Sequence, residues 1–115
     1  MTVKLNRAAF NHAKHLIGEG QDTHDTRDDW SEHAPSTDRQ NQFIKDNGWA
    51  EYALWHLGID EDKGEHTKGR YSFPYGDFRK VHRCAVISLE SRAAQNDHDD
   101  IARATKDLLE RIDEQ

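Results

Sequence analysis

Apolar residues recur every three or four positions in three long stretches of the chain, a spacing typical of helices that bury one face. The first stretch predicts a helix over about 6–19. The other two predict helices over about 78–95 and 99–112, with Asp77 and Asp97 as their N-caps. Because only a few residues separate these last two helices, we expect them to pack side by side as a C-terminal hairpin.

The rest of the chain predicts shorter elements. A helix begins near Thr37, and residues 49–57 (WAEYALWHL) predict a strongly apolar helix that ends at the next glycine. Residues 71–76 predict a brief extended segment that ends in a turn. We expect the acidic stretches 21–35 and 59–70 to be loops. The expected fold class is therefore all-α, a compact bundle of four to five helices with a C-terminal helical hairpin and long acidic loops.

The composition predicts a folded domain with a modest core. Of the 115 residues, 34% are hydrophobic and 33% are charged, so apolar side chains are scarce. Three Trp, three Tyr and four Phe offset this scarcity, because each brings a large area to bury. We therefore predict a single helical domain over residues 1–115.

Two absences in the sequence predict a cytoplasmic protein. No apolar run approaches the roughly 18 residues of a transmembrane helix, and the first residues lack the apolar stretch of a secretory signal. We therefore expect no association with a membrane. Cys84 is the single cysteine, which excludes an intrachain disulfide and a four-cysteine zinc site.

The charge of the chain is distributed unevenly. The formal net charge is −6, yet six Lys and Arg residues accompany only two acids between 66 and 92, which gives that segment +4 and leaves −10 elsewhere. Residues 68–83 combine six Lys, Arg or His residues with four aromatic rings. Cations neutralise phosphates and rings stack on bases, although the same rings could instead clamp a loop onto the core. The candidate binding residues are Lys68, Arg70, Tyr71, Tyr75, Arg79, Lys80 and Arg83.

A second candidate site lies on the first predicted helix. His12 and His15 are three residues apart and Glu19 follows four residues later, which places all three on one helix face. Two imidazoles and a carboxylate at this spacing could bind zinc or another divalent metal ion. The pattern lacks the glutamate placement of HExxH. The alternative interpretation is an exposed polar helix face that binds no metal.

Three further side chains could be either core or functional. His82 lies among apolar residues of its predicted helix and His56 lies beside aromatic residues, which favours hydrogen-bonded core histidines. If His82 is catalytic, Tyr75 and Asp77 are the nearest residues in sequence that could orient it. Cys84 falls in the middle of the predicted helix, where nothing lowers the pKa of a thiol, so we expect it to be buried and inert.

Several segments together resemble a protein family. RYSFPYGDFRKVHRCAV and the following SRAAQNDHDDIARA carry an RYxFPYGDFxKVHR pattern that is similar to one in small bacterial and archaeal proteins of unknown function. DDWSEHAPS and GWAEYALWHLGID resemble the same proteins, so the likeness covers most of the chain. The turn and the helical hairpin are more distantly similar to a short module of phage-encoded proteins. The resemblance implies a compact helical domain and assigns no activity.

Three functions follow from these patterns. The first is a non-enzymatic accessory or interaction protein that contacts another protein, or an anionic partner, through the aromatic-basic turn at 68–83. The second is binding of nucleic acid through the same residues. The third is a metal-binding protein or small metal-dependent hydrolase. Neither GxGxxG nor GxxxxGK[ST] occurs, which disfavours nucleotide hydrolysis. The sequence leaves the oligomeric state open.

Overall fold

The computed structural model describes residues 3–24, 30 and 34–114. It therefore covers the predicted loop at 21–35 only in part. The elements of the described chain are β1 (Val3–Leu5), α1 (Arg7–Gly18), α2 (Thr37–Asn47), α3 (Trp49–Ala53), β2 (His56–Asp60), a 3-10 turn (Lys68–Arg70), β3 (Tyr71–Pro74), α4 (Arg83–Gln95) and α5 (Asp99–Asp113). Among these residues no helix is both long enough and apolar enough to cross a bilayer.

The all-α prediction is wrong, because three strands form an antiparallel sheet in the order β1-β2-β3. Leu5 pairs with Gly58, and Gly58 pairs in turn with Ser72. The strands have three to five residues each. Four of the five β2 residues are buried, so β2 lacks the alternation of apolar and polar positions that marks a half-exposed strand.

The helix predicted over 49–57 is correspondingly too long. α3 ends at Ala53, and His56 and Leu57 already belong to β2. Gly58, which was expected to end a helix, is instead the centre of the sheet. A side chain at Gly58 would collide with the Ser72 hydroxyl and the Phe73 ring, so glycine lets the neighbouring strand approach closely.

The predicted start of the next helix is also wrong. α4 begins at Arg83, with His82 at its N-cap position, rather than at 78 with Asp77 as the cap. Residues 77–80 form a bend, after which Val81 makes isolated bridges to Gly76 and Asp22. The later start places Cys84 in the first turn of α4, where it is buried all the same.

The core lies between the sheet, α1 and the pair α4 and α5. α4 and α5 pack along each other, and α5 also contacts α1 and β1. α5 covers the helix predicted at 99–112, although His98 rather than Asp97 occupies its N-cap position. The buried residues of the core are Ala9, Ala13, Ile17, Trp55, Leu57, Phe73, Tyr75, Val81, Val86, Leu89, Ala93, Ile101, Leu108 and Ile112.

Candidate binding site at the aromatic-basic turn

Asp77 organises the turn that leads from β3 to α4. Its Oδ1 accepts hydrogen bonds from the backbone N–H groups of Arg79 at 3.0 Å and Lys80 at 2.9 Å. Its Oδ2 lies 2.9 Å from Nε2 of His82. Burial raises the pKa of Asp77, but the bonds from His82 and from the two N–H groups outweigh burial and lower it. An ionised Asp77 therefore fixes the turn at neutral pH.

His82 supports this turn from inside the protein. It is 4% exposed, and its Nδ1 lies 3.4 Å from Oγ1 of Thr23. The ring of Trp30 is adjacent, at 5.7 Å between ring centroids. Of the two residues expected to orient His82, only Asp77 contacts the imidazole, whereas Tyr75 uses its carbonyl oxygen to accept the His82 backbone N–H. His82 is therefore almost completely buried and contacts the turn through Asp77.

The turn holds Phe78 in an unusual backbone conformation. Its φ is 70°, a left-handed value that a bulky residue rarely adopts. The Phe78 ring stacks on Phe43 of α2 with 4.2 Å between centroids, and meets Trp55 edge-on at 5.9 Å. Gly76 lies so close to the Lys80 carbonyl oxygen and the Trp55 ring that no side chain fits there. Tertiary packing therefore imposes the strained geometry and points the Phe78 ring into the site.

A small cavity lies beside this turn, and we call it the aromatic cavity. Its volume is about 70 Å³. Rings and prolines form most of its wall, so it offers flat apolar surfaces. The lining residues are Trp30, Ala34, Pro35, Gln40, Trp55, His56, Pro74, Gly76 and Phe78.

His56 is the one ionisable residue in the described wall of the aromatic cavity. It is 6% exposed, and its Nδ1 lies 2.8 Å from the carbonyl oxygen of Tyr52. Burial lowers the pKa of His56 to about 4, so the ring is neutral at physiological pH. Because Nδ1 must carry the proton that it donates to Tyr52, Nε2 is a hydrogen-bond acceptor.

An open groove of about 420 Å³ adjoins the aromatic cavity, and we call it the arginine groove. Its lining residues are Ala34, Pro35, Ser36, Arg39, Asp77 and Arg79, so Ala34 and Pro35 belong to both spaces. Ser36 caps α2 by accepting the Arg39 N–H at 3.2 Å, which fixes Arg39 in the first turn. Both arginines are exposed, and neither guanidinium bonds to another described residue.

The structure places the seven predicted binding residues in different surroundings. Arg79 and Lys80 are exposed on the turn and Lys68 is partly buried. Arg83 donates from Nε to Oδ1 of Asp113 at 2.8 Å, a bond that lowers the pKa of Asp113.

The remaining three predicted residues are held by contacts within the chain. Arg70 donates to the carbonyl oxygen of Lys63 at 2.9 Å, and the Tyr71 hydroxyl donates to that of Glu65 at 3.0 Å. Tyr75 is completely buried. Arg70 and Tyr71 thus make hydrogen bonds within the 59–75 segment, whereas Tyr75 belongs to the core.

Two of the three predicted metal ligands lie together at the end of α1, and the third has other neighbours. His15 lies 3.1 Å from Glu19. His12 instead lies 2.9 Å from the Tyr75 hydroxyl and edge-on to Trp55. Within 3–24, 30 and 34–114, no three His, Cys, Asp or Glu side chains form a group that could hold a metal ion. Zinc binding at His12, His15 and Glu19 stays a prediction, which a zinc-dependent rise in melting temperature that His12→Ala removes would test.

Sequence reasoning missed three important residues of this site. Arg39 and Trp30 come from segments far from the aromatic-basic turn, and Trp55 lies in the segment predicted as a helix over 49–57. Only the apolar Trp30 within an acidic polar stretch indicates, from the sequence, a residue that could contribute to the site. Comparison with protein-family models, with curated proteins and with solved structures finds no match to this chain.

Proposed function

We propose that this protein is a non-enzymatic interaction protein, and that the aromatic cavity and the arginine groove together bind an anionic partner. The observation that supports this most directly is the position of Arg39 and Arg79 in one groove beside an aromatic-lined cavity. Two guanidinium groups without partners in the described chain are a source of charge that a bound anion would satisfy. Guanidinium binds carboxylate and phosphate through paired N–H donors.

The charge distribution also supports this proposal. The body of the protein is acidic, whereas the exposed Arg39, Arg79 and Lys80 surround the turn. Asp77 is the nearest opposing charge in the groove, but its two oxygens already accept hydrogen bonds from the turn and from His82. Attraction of an anion at such a surface should weaken as salt screens it.

A cytoplasmic location is part of the same proposal. The free thiol of Cys84 is buried, and the described chain contains no disulfide. Such a protein suits a reducing compartment.

The test is to titrate the protein with heparin, a simple polyanion, at low and moderate salt. The double variant Arg39→Ala/Arg79→Ala should bind at least tenfold more weakly and should depend less on salt, since two contacts to the anion are lost. Its melting temperature should change little, because both side chains are exposed.

A matched control removes the same charge elsewhere. Arg103 and Lys106 are exposed on α5 and do not line the groove. Arg103→Ala/Lys106→Ala should therefore bind heparin almost as the parent protein does. Equal losses in the two double variants would show that net charge alone drives binding, and the proposed site would be wrong.

A further inference from the structure

We infer that the ligand of this site is a nucleotide unit, whose base enters the aromatic cavity while its phosphate lies in the arginine groove. The inference rests on the proposed function and specifies its ligand. A purely acidic peptide would satisfy the arginines but would leave the adjoining aromatic wall unused. A neutral aromatic compound would occupy the aromatic wall but would leave the arginines without an anion.

The aromatic cavity suits a flat heterocycle. Trp30, Trp55 and Phe78 contribute ring surfaces to its wall, and bases stack on such rings because every base has a π-face. Ala34 and Pro35 line both spaces, so a base in the cavity would lie next to a phosphate in the groove.

The polar groups of the cavity favour a base that donates hydrogen bonds. His56 is neutral, and its Nε2 is an acceptor because Nδ1 donates to Tyr52. The amide of Gln40 is partly engaged, since its Oε1 accepts from the Tyr52 hydroxyl and its Nε2 donates to the Pro35 carbonyl. An exocyclic amino group, as in adenine or cytosine, supplies the N–H that His56 can accept.

The turn couples the two halves of the site. Phe78, with its left-handed φ of 70°, lines the cavity, and the next residue, Arg79, lines the groove. Strained residues of this kind persist where the surrounding structure fixes them, and they cluster at ligand sites. Asp77 and His82 fix this turn, and thereby set the backbone position from which Arg79 reaches into the groove.

A base linked through ribose to a phosphate occurs both in a free mononucleotide and at the 5′-phosphorylated end of a single strand. The experiment therefore measures tryptophan fluorescence during titration with AMP, adenosine, ribose 5-phosphate and a 5′-phosphorylated adenine hexanucleotide. AMP should bind at least tenfold more tightly than adenosine or ribose 5-phosphate, because only AMP occupies both spaces. Tighter binding of the hexanucleotide than of AMP would identify the strand end as the source, and the opposite order would identify the free nucleotide.

Variants separate the two halves of the site. Phe78→Ala and Trp30→Leu should each weaken AMP binding at least fivefold and leave ribose 5-phosphate binding unchanged, and the second variant keeps the test valid if the first does not fold. Arg79→Ala should weaken AMP and ribose 5-phosphate alike. Trp49→Leu is the matched control, because Trp49 stacks on His66 and Tyr71 outside the cavity and should leave AMP binding unchanged.

Other outcomes would overturn the inference. If ribose 5-phosphate binds as tightly as AMP, or if heparin binds at the groove and AMP does not, the nucleotide assignment is wrong while the proposed function stands. If neither heparin nor AMP binds, both are wrong.

Discussion

The hydroxyl oxygen of Tyr75 lies 2.9 Å from Nδ1 of His12 and 2.6 Å from the carbonyl oxygen of Leu54. The single hydroxyl proton is donated to Leu54, so His12 must donate from Nδ1 to the hydroxyl oxygen. Burial lowers the pKa of His12, which keeps this ring neutral. One completely buried hydroxyl therefore connects α1 to the segment that follows α3.

Replacing Tyr75 by Phe should lower the free energy of unfolding by about 1–3 kcal/mol, because partly buried polar groups on Leu54 and His12 each lose a partner. Urea denaturation measures this change. Tyr71→Phe is the control, since its hydroxyl bonds to Glu65 in an exposed position and should cost less than about 1 kcal/mol. Equal losses in the two variants would contradict the connecting role of Tyr75.

His56 should make stability fall in mild acid. In the unfolded chain a histidine takes up a proton near pH 6.5, whereas His56 in the fold does so only near pH 4. Between these values the unfolded state holds more protons, so the free energy of unfolding decreases as the pH falls. The difference between the two pKa values of His56 lowers the free energy of unfolding by about 3 kcal/mol between pH 6.5 and about pH 4, at 1.36 kcal/mol for each pKa unit.

The variant His56→Gln should therefore lose less stability than the parent protein between pH 7.5 and pH 4, as measured by urea denaturation at each pH. His15→Gln is the control, because the side chain of His15 is 69% exposed. The same pH dependence in His56→Gln and in the parent protein would show that His56 is not the group responsible.

Alanine should lower stability at Gly76 and leave it almost unchanged at Gly69. A Cβ at Gly76 would collide with the Lys80 carbonyl oxygen and the Trp55 ring, whereas a Cβ at Gly69 meets nothing within 4 Å. Gly76→Ala should lower the free energy of unfolding by about 1–3 kcal/mol, the usual cost of overpacking. Gly69→Ala should change it by no more than about 0.5 kcal/mol. Thermal melting of both variants decides whether the turn is as tightly packed as the geometry indicates.

The packing of α4 against α5 can be tested with leucine truncations. Leu89 is 3% exposed and Leu108 is completely buried, so alanine at either position should cost about 2–5 kcal/mol in urea denaturation. Leu109 is only partly buried and provides the control. Its replacement by alanine should cost clearly less, and a larger loss at Leu109 would contradict the packing.

The sequence predicts helices that bury a single face, because the spacing of their apolar residues is visible within one stretch of the chain. α1 and α5 each bury one face, so their apolar residues recur at helical spacing and mark the helices within one or two residues. β2 has no such pattern, because it is buried almost throughout, and one of its partners, β1, lies more than fifty residues away in sequence. The all-α prediction failed because short strands depend on pairing that a local reading does not reveal.

A local reading of the sequence also does not reveal the turn at 77–80 or the candidate site. The side chain of Asp77 accepts backbone N–H groups two and three residues later, which is the chemistry of a helix cap used here for a tight turn. The bridges of Val81 to Asp22 and Gly76 then delay the helix until Arg83. Arg79 was predictable from its basic surroundings, but its proximity to Arg39 depends on how α2 packs against the turn.

The edge strand β1 has a consequence for how the chain folds. It pairs with β2 across more than fifty residues of sequence, and the Leu5 N–H donates at 2.8 Å to Asp100, 95 residues further along. Closing such large loops costs entropy before any contact repays it, whereas α4 and α5 are adjacent and can meet early. Refolding should therefore begin with α4 and α5 and end with the docking of β1. The backbone amide of Leu5 should gain protection from hydrogen exchange only in that last step.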